Sequence, residues 1–290
     1  MSNVTSKQQL LVASLFVRLP RNNVKHAYAF GYKGFQLALD VPAPYELFCS
    51  PQVDCEQIRK VREAQNETTA THALELDAVW RLVARRLHVT VEQLRRATTR
   101  SIVKKHCPSA ELVLIWLAKP LIVELAMKAR PEHDRFAWLD TGFNVYRVLR
   151  RAPARPPPWD SFWPERGLAV RMLPGACHND PIRPGVNHSR CPVGTFLYGT
   201  RASWHAFNRR YLERVRELVV EDTRPGMLCL DQDVIADVLA RHPDEHLAEE
   251  FTTSDLAGWG WRSARRANVT CVGELVNMGN RCVNDSTQFV

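Results

Sequence analysis

An apolar run that stops on an acid, a hydroxyl residue and a glycine is the first place to look for chemistry in this chain: Phe136-Ala137-Trp138-Leu139-Asp140-Thr141-Gly142-Phe143. A buried strand with this ending delivers one carboxylate to the rim of a sheet. In open α/β sheets the rim at the strands' carboxyl ends is where ligands bind. A carboxylate there, followed by residues free to turn, suits a divalent cation that carries a diphosphate. The competing reading is that Asp140 caps the next turn or pairs with Arg147 or Arg150, since Asp-x-Gly is frequent at turns.

Other residue groupings carry weaker signals. Cys177, His178, His188 and Cys191 have the atom types of a zinc site. Their spacing is that of no usual knuckle, and a Cys177–Cys191 bridge in an oxidising compartment is an equal reading. His178-Asn179-Asp180 has the composition of an acceptor-site loop. Trp259-Gly260-Trp261 offers flat aromatic surface for a sugar, against the plainer reading of core or tail packing.

The bulk numbers set bounds. The 290 residues allow one large α/β domain or two smaller ones. The expectation is a single domain over 1–290, with a Pro-rich loop at 152–166 and a C-terminal extension at 262–290. The net charge of +8 fits a phosphate-bearing ligand. The basic residues are scattered in pairs such as Arg85-Arg86 and Arg209-Arg210, without interleaved aromatics, so nucleic acid is not the expected partner. No transmembrane span is expected: Leu10–Val17 is too short, and Leu112–Met127 contains Lys119, Pro120 and Glu124. The eight cysteines form no CxxC pair and read as buried thiols of a cytoplasmic protein. Five N-x-S/T sequons, at Asn3, Asn66, Asn187, Asn268 and Asn284, matter only in a secretory lumen.

The elements that must position these groups follow from hydrophobic spacing. Residues 10–17, 45–49, 135–139, 168–173 and 195–198 read as strands, with 135–139 central. Helices are expected over 28–39, over 54–64 with Asp54 as N-cap, and over 73–87. Further helices are expected over 91–105 behind Thr90, along the apolar run behind Ser109, and over 202–220. The stretch 175–194 reads as loop. Leu228–Leu230 reads as an apolar strand leading into a helix from Asp231 to Arg241. Strands alternating with long helices predict a mostly parallel central sheet with helices on both faces. There is no G-x-G-x-x-G and no Walker A lysine motif.

Four blocks in this order resemble the HtrL/YibB-like proteins, a group related to nucleotide-diphospho-sugar transferases of the GT-A type. They are Leu10–Val17; Tyr32–Phe35 through Tyr45–Ser50 and Ile58–Arg62; Trp116–Pro120 leading to Phe136–Gly142; and Gly194–Gly199 with Trp204, Phe207, Tyr211 and Asp231-Gln232. The resemblance implies a GT-A-like (Rossmann-like) fold and a metal-assisted glycosyltransferase. It would use a nucleotide-diphosphate sugar with Mn²⁺ or Mg²⁺, and a glycan, a lipid-linked group or a protein as acceptor. One departure is plain: the usual Asp-x-Asp is Asp140-Thr141-Gly142, which leaves one carboxylate.

On that reading Asp140 is the metal ligand, followed by Thr141 and Gly142 at the donor. Phe48, Cys49 and Ser50 lie where a nucleobase or ribose rests, or are a plain strand end. Arg62, and less so Arg59, would clamp a phosphate, or are helix-surface charges. Gly194 to Gly199 would admit a sugar close to the backbone, or form an ordinary turn. Asp231 would face the donor sugar or acceptor hydroxyl as base or positioning group, with Gln232 on sugar hydroxyls, or would cap its helix. The alternative function is a non-catalytic GT-A-like binding or scaffold protein.

Overall fold

Strand β1 (Leu10–Phe16) is buried along nearly all its length, which is the pattern of a strand covered on both faces. It is seen in a computed structural model that describes residues 10–17, 19, 43–53, 55–64, 68–103, 107–140, 164, 166–174, 190–221 and 226–250. β1 pairs in parallel with β2 (Tyr45–Cys49) on one side and with β4 (Arg135–Leu139) on the other. Between β2 and β4 come α1 (Cys55–Glu63), β3 (Thr69–Ala73), α2 (Leu76–Leu87), α3 (Val91–Arg100) and α4 (Ala110–Ala129). After β4 come β5 (Leu168–Pro174), β6 (Arg190–Thr200), α5 (Arg201–Glu221), a 3₁₀ turn at Met227–Cys229, α6 (Asp231–Arg241), a second 3₁₀ turn at Pro243–Glu245 and β7 (Ala248–Glu250).

Among the described residues seven strands lie in the order β3-β2-β1-β4-β6-β5-β7. Only β6 runs against its neighbours; the other strands share one direction. The expected mostly parallel sheet is therefore what the chain builds, and β4 is its central strand. Alternate side chains leave a strand on opposite faces. Leu11, Ala13, Leu15, Phe48, Phe136 and Trp138 join one large core with α2, α4 and α5, while Leu47 and Cys49 meet Ile58 of α1 in a smaller second cluster. Helices thus cover both faces.

α4 is buried around most of its circumference, as its largely apolar sequence requires. Ser109 starts it by accepting the Leu112 N–H at 3.2 Å. Pro120 sits inside the helix, and its carbonyl accepts from Asn208 Nδ2 at 3.1 Å. α3 opens on a capping box in which Thr90 and Gln93 each satisfy the other's backbone N–H.

Several expectations need correction. Thr69–Ala73 is an edge strand, so α2 begins at Leu76 rather than at residue 73. α3 ends at Arg100, short of 105. β6 runs from Arg190 to Thr200, taking in residues read as loop. Leu228–Leu230 is a 3₁₀ turn and its exit, not a strand. The expected helix over 28–39, the Asp54 cap, most of 152–166 and all of 262–290 lie outside the described residues.

The thiol expectation also changes. Cys49 is bonded to Cys55, and Cys107 to Cys229. The first ties the end of β2 to the start of α1. The second ties the segment before α4 to the turn before α6. Among the described residues no helix is long and apolar enough to cross a membrane.

Candidate functional site at the β1–β4 rim

Strands β1, β2 and β3 step outward one way, and β4 is laid down on the other side of β1. The strand order therefore reverses between β1 and β4, and the crevice outside their carboxyl ends is the expected ligand position. Asp140 directly follows Leu139 there. The Ser14 hydroxyl donates to the Leu139 carbonyl at 2.6 Å and ties the two strand ends together. By alternation Asp140 falls on the same face as Phe136 and Trp138. That face is the one α4 covers. Asp140 is accordingly 8% exposed, accepts from Trp138 Nε1 at 2.8 Å, and lies 3.0 Å from the Lys119 ammonium of α4.

Lys119 is the residue the sequence reading missed as chemistry. It is 3% exposed, and an ammonium so deeply buried needs acceptors for its N–H groups. It has them: Asp140, the Gly194 carbonyl at 3.0 Å, and Asp231 Oδ2 at 2.7 Å. The two acids that are far apart in sequence thus converge on one cation. The available signal was a lysine in the middle of a long, mostly apolar helix, a place where charges survive only when paired.

Asp231 is the first helical residue of α6, with Leu230 in the cap position and no side-chain capping bond, so the capping reading fails. Its carboxylate lies over Gly194. A Cβ added at 194 would fall 2.0 Å from Asp231 Oδ2 and 2.7 Å from Cγ. Gly194→Ala is therefore expected to push the carboxylate off Lys119 and cost about 1–3 kcal/mol, as overpacking does. A urea midpoint equal to that of the unsubstituted chain would show that Asp231 is not held there.

The electrostatics follow from burial. Asp140 is raised above its ordinary 3.8, chiefly by desolvation and further by the Asp231 charge, with Lys119 and the Trp138 hydrogen bond pulling it back down. Tyr211 of α5 is raised well above its ordinary value, by burial first and the Asp231 charge second. Its hydroxyl has no hydrogen-bond partner among the described residues.

The remaining expected site residues are distributed less favourably. Arg62 is fully buried at the amino ends of β2 and β3. It donates to Thr69 Oγ1 at 2.7 Å and to the Ala43 carbonyl, with its guanidinium 4.0 Å from the Tyr45 ring centroid. That is the sheet edge opposite Asp140, because a crossover helix returns the chain to the amino edge. Arg59 is engaged by Glu56 and Glu63 on its own helix. Neither arginine reaches the rim.

Phe48, Cys49 and Ser50 are at the correct edge, yet all three are buried. Phe48 stacks on His72 with ring centroids 4.7 Å apart, and Cys49 is bonded to Cys55. Gly199 is filled by Leu168, whose Cδ2 lies 2.7 Å from the Cβ position, rather than by space for a sugar. Gln232 is buried beside Asp231 at the start of α6. Thr141, Gly142, Cys177 to Asp180, His188, Trp259 and Trp261 lie outside the described residues, and Cys191 lies on β6.

A divalent cation bridging Asp140 and Asp231 does not fit this donor set. The position between the two carboxylates holds Lys119 Nζ. Among the described residues no three His, Cys, Asp or Glu side chains gather to hold a metal.

No protein-family model matches the chain, and no curated protein matches it in sequence. Membership of the HtrL/YibB-like family therefore stays an expectation. Among solved structures the chain is similar to core-mannan synthase A (CmsA/Ktr4) from Aspergillus fumigatus in its Mn/GDP form. The identity is 10%, over 87% of this chain and 74% of that one, with a TM-score of 0.48. Likeness at this level assigns neither an activity nor a ligand. The chain is an α/β protein whose central sheet brings Asp140, Lys119 and Asp231 together beside its topological switch point.

Proposed function

We propose that the chain is a GT-A-type glycosyltransferase that binds a nucleotide-diphosphate sugar in the crevice at the carboxyl ends of β1 and β4. The supporting observation is the convergence of Asp140 and Asp231 on Lys119 at the strand-order reversal. Asp231 is the residue for the sugar or the acceptor hydroxyl. Lys119 holds its Oδ2, which fixes the carboxylate plane and leaves Oδ1 to accept a proton or a hydroxyl hydrogen bond. Gln232, next along α6, supplies amide donors and acceptors of the kind that bind sugar hydroxyls. The acceptor is a glycan, a lipid-linked group or a protein. Two disulfides favour an oxidising compartment over the cytoplasm.

The test is a panel of uridine and guanosine diphosphates and their sugars. Nucleotide is expected to raise the melting temperature with concentration. Asp231→Asn is expected to keep that rise while sugar release falls by about 10²–10⁴-fold, the usual worth of a positioned base. Absence of stabilisation by any nucleotide defeats the reading. The burial of both acids favours a second reading, a binding protein without turnover. Stabilisation by nucleotide with no sugar released from any donor would select it.

A further inference from the structure

We infer that Lys119 is the resident cation of this site: its ammonium fills the seat between Asp140 and Asp231, and the chain takes neither Mn²⁺ nor Mg²⁺ there. The inference deepens the proposed donor site, and its metal arm is decided without that reading.

The seat is built for an ammonium. An ammonium has three N–H donors and needs acceptors at hydrogen-bond distance. Asp140 Oδ2 at 3.2 Å, the Gly194 carbonyl at 3.0 Å and Asp231 Oδ2 at 2.7 Å answer that need. Mg²⁺ asks instead for about six oxygens at 2.0–2.1 Å in octahedral array and usually keeps several waters. Among the described residues, two buried carboxylates and one carbonyl already holding an ammonium offer neither the count nor the room.

The lysine is also difficult to displace. Its neighbours in α4, Leu117, Ala118 and Leu121, are buried, and Nζ lies 5.8 Å from the Trp138 ring centroid. A metal entering beside it would set a second cation against the first in a water-poor setting, where charges interact strongly. Asp140 is held from its other side by Trp138 Nε1 at 2.8 Å, and Asp231 is held over Gly194, where no side chain fits. All three members are thus clamped by separate elements, α4, β4 and α6, with β6 beneath.

Two charges of one sign and one of the other leave the cluster at −1 when both acids are ionised. With the lysine in place a divalent cation meets a net charge of only −1 and an occupied seat; without it the cation meets −2 and an open one. Removing Lys119 therefore does more than weaken the site: it uncovers a pair of carboxylates sharing an empty seat.

The experiment titrates the full chain with MnCl₂, followed by the electron paramagnetic resonance of free Mn²⁺. The chain is compared with its Asp140→Asn and Lys119→Ala forms. The unsubstituted chain and Asp140→Asn are expected to bind Mn²⁺ alike, and Lys119→Ala to gain a site at least about tenfold tighter, a difference that titration resolves. An Mn²⁺ site in the unsubstituted chain that Asp140→Asn removes overturns the inference. So does a folded Lys119→Ala that binds no better. If Lys119→Ala does not fold, the comparison with Asp140→Asn decides alone.

In parallel, the nucleotide-induced rise in melting temperature is measured in EDTA and in Mn²⁺. Equal rises are expected; a rise that requires Mn²⁺ overturns the inference. If no nucleotide acts under either condition, the donor reading fails while the Mn²⁺ titration still decides the seat.

Discussion

Replacing Lys119 with methionine will destabilise the fold by about 3–5 kcal/mol, the usual cost of removing one partner from a buried ion pair. Methionine keeps most of the aliphatic volume, so the loss is not that of a cavity. What remains is two carboxylates facing an empty charge position, one of them 8% and the other 5% exposed. Urea denaturation measures the change.

The pH dependence identifies its cause. A buried carboxyl whose folded value is raised binds more protons folded than unfolded. Stability then falls as pH rises from the unfolded value, here 3.8, through the folded one. In the unsubstituted chain Lys119 opposes that rise for Asp140. Without the lysine, the folded value moves higher and the penalty extends further up the pH scale. The deficit of Lys119→Met is thus expected to shrink as pH falls toward about 4, and to shrink at all pH values when Asp140→Asn and Asp231→Asn are added. A deficit independent of pH and of those two changes would mean that the charges are not what Lys119 holds.

Loss of the Cys107–Cys229 bond is expected to be as severe. The bond joins residues 122 apart in sequence, with Cα atoms 5.5 Å apart. Closing a loop of that length removes unfolded-state entropy worth about 5 kcal/mol on the chain-entropy account. The Cys49–Cys55 bond closes a separation of 6 and is worth about 2 kcal/mol on the same account. Cys107→Ala with Cys229→Ala should therefore lower the urea midpoint far more than Cys49→Ala with Cys55→Ala. The effect reaches the site as well. Cys229 ends the turn that delivers Leu230 and Asp231, so the double alanine variant should also lose any Asp231-dependent sugar release. Equal midpoints for the two double variants would show that the long bond does not constrain the unfolded chain.

Much of the scaffold could be read directly from residue order. β1, β2 and β4 are mostly apolar runs between breaks, and they occupy the residues that pattern marks. α4 and α6 begin where Ser109 and Asp231 suggest. The failures have local causes. Thr69-Ala70-Thr71-His72-Ala73 is an edge strand among the described residues, and it is only partly buried, so it carries little apolar signal. The amino half of β6 looks like loop because Pro192 and Gly194 stand in it and its pairing with β5 is interrupted by a bulge. Arg62 lies away from the ligand crevice because the end of a crossover helix returns to the amino edge of a parallel sheet.

What the sequence alone determined was local. It determined the alternation of strands and helices, and hence a mostly parallel α/β sheet. It also determined the arrival of Asp140 at the end of the central strand, because periodicity and chain breaks are properties of neighbouring residues. The tertiary structure alone decided that Asp140 turns under α4, that Asp231 crosses to meet it over Gly194, and that Lys119 stands between them. Those contacts span 21, 112 and 75 residues of chain. A contact of that length depends on which helix covers which face, and spacing along a chain does not encode the packing of one element on another.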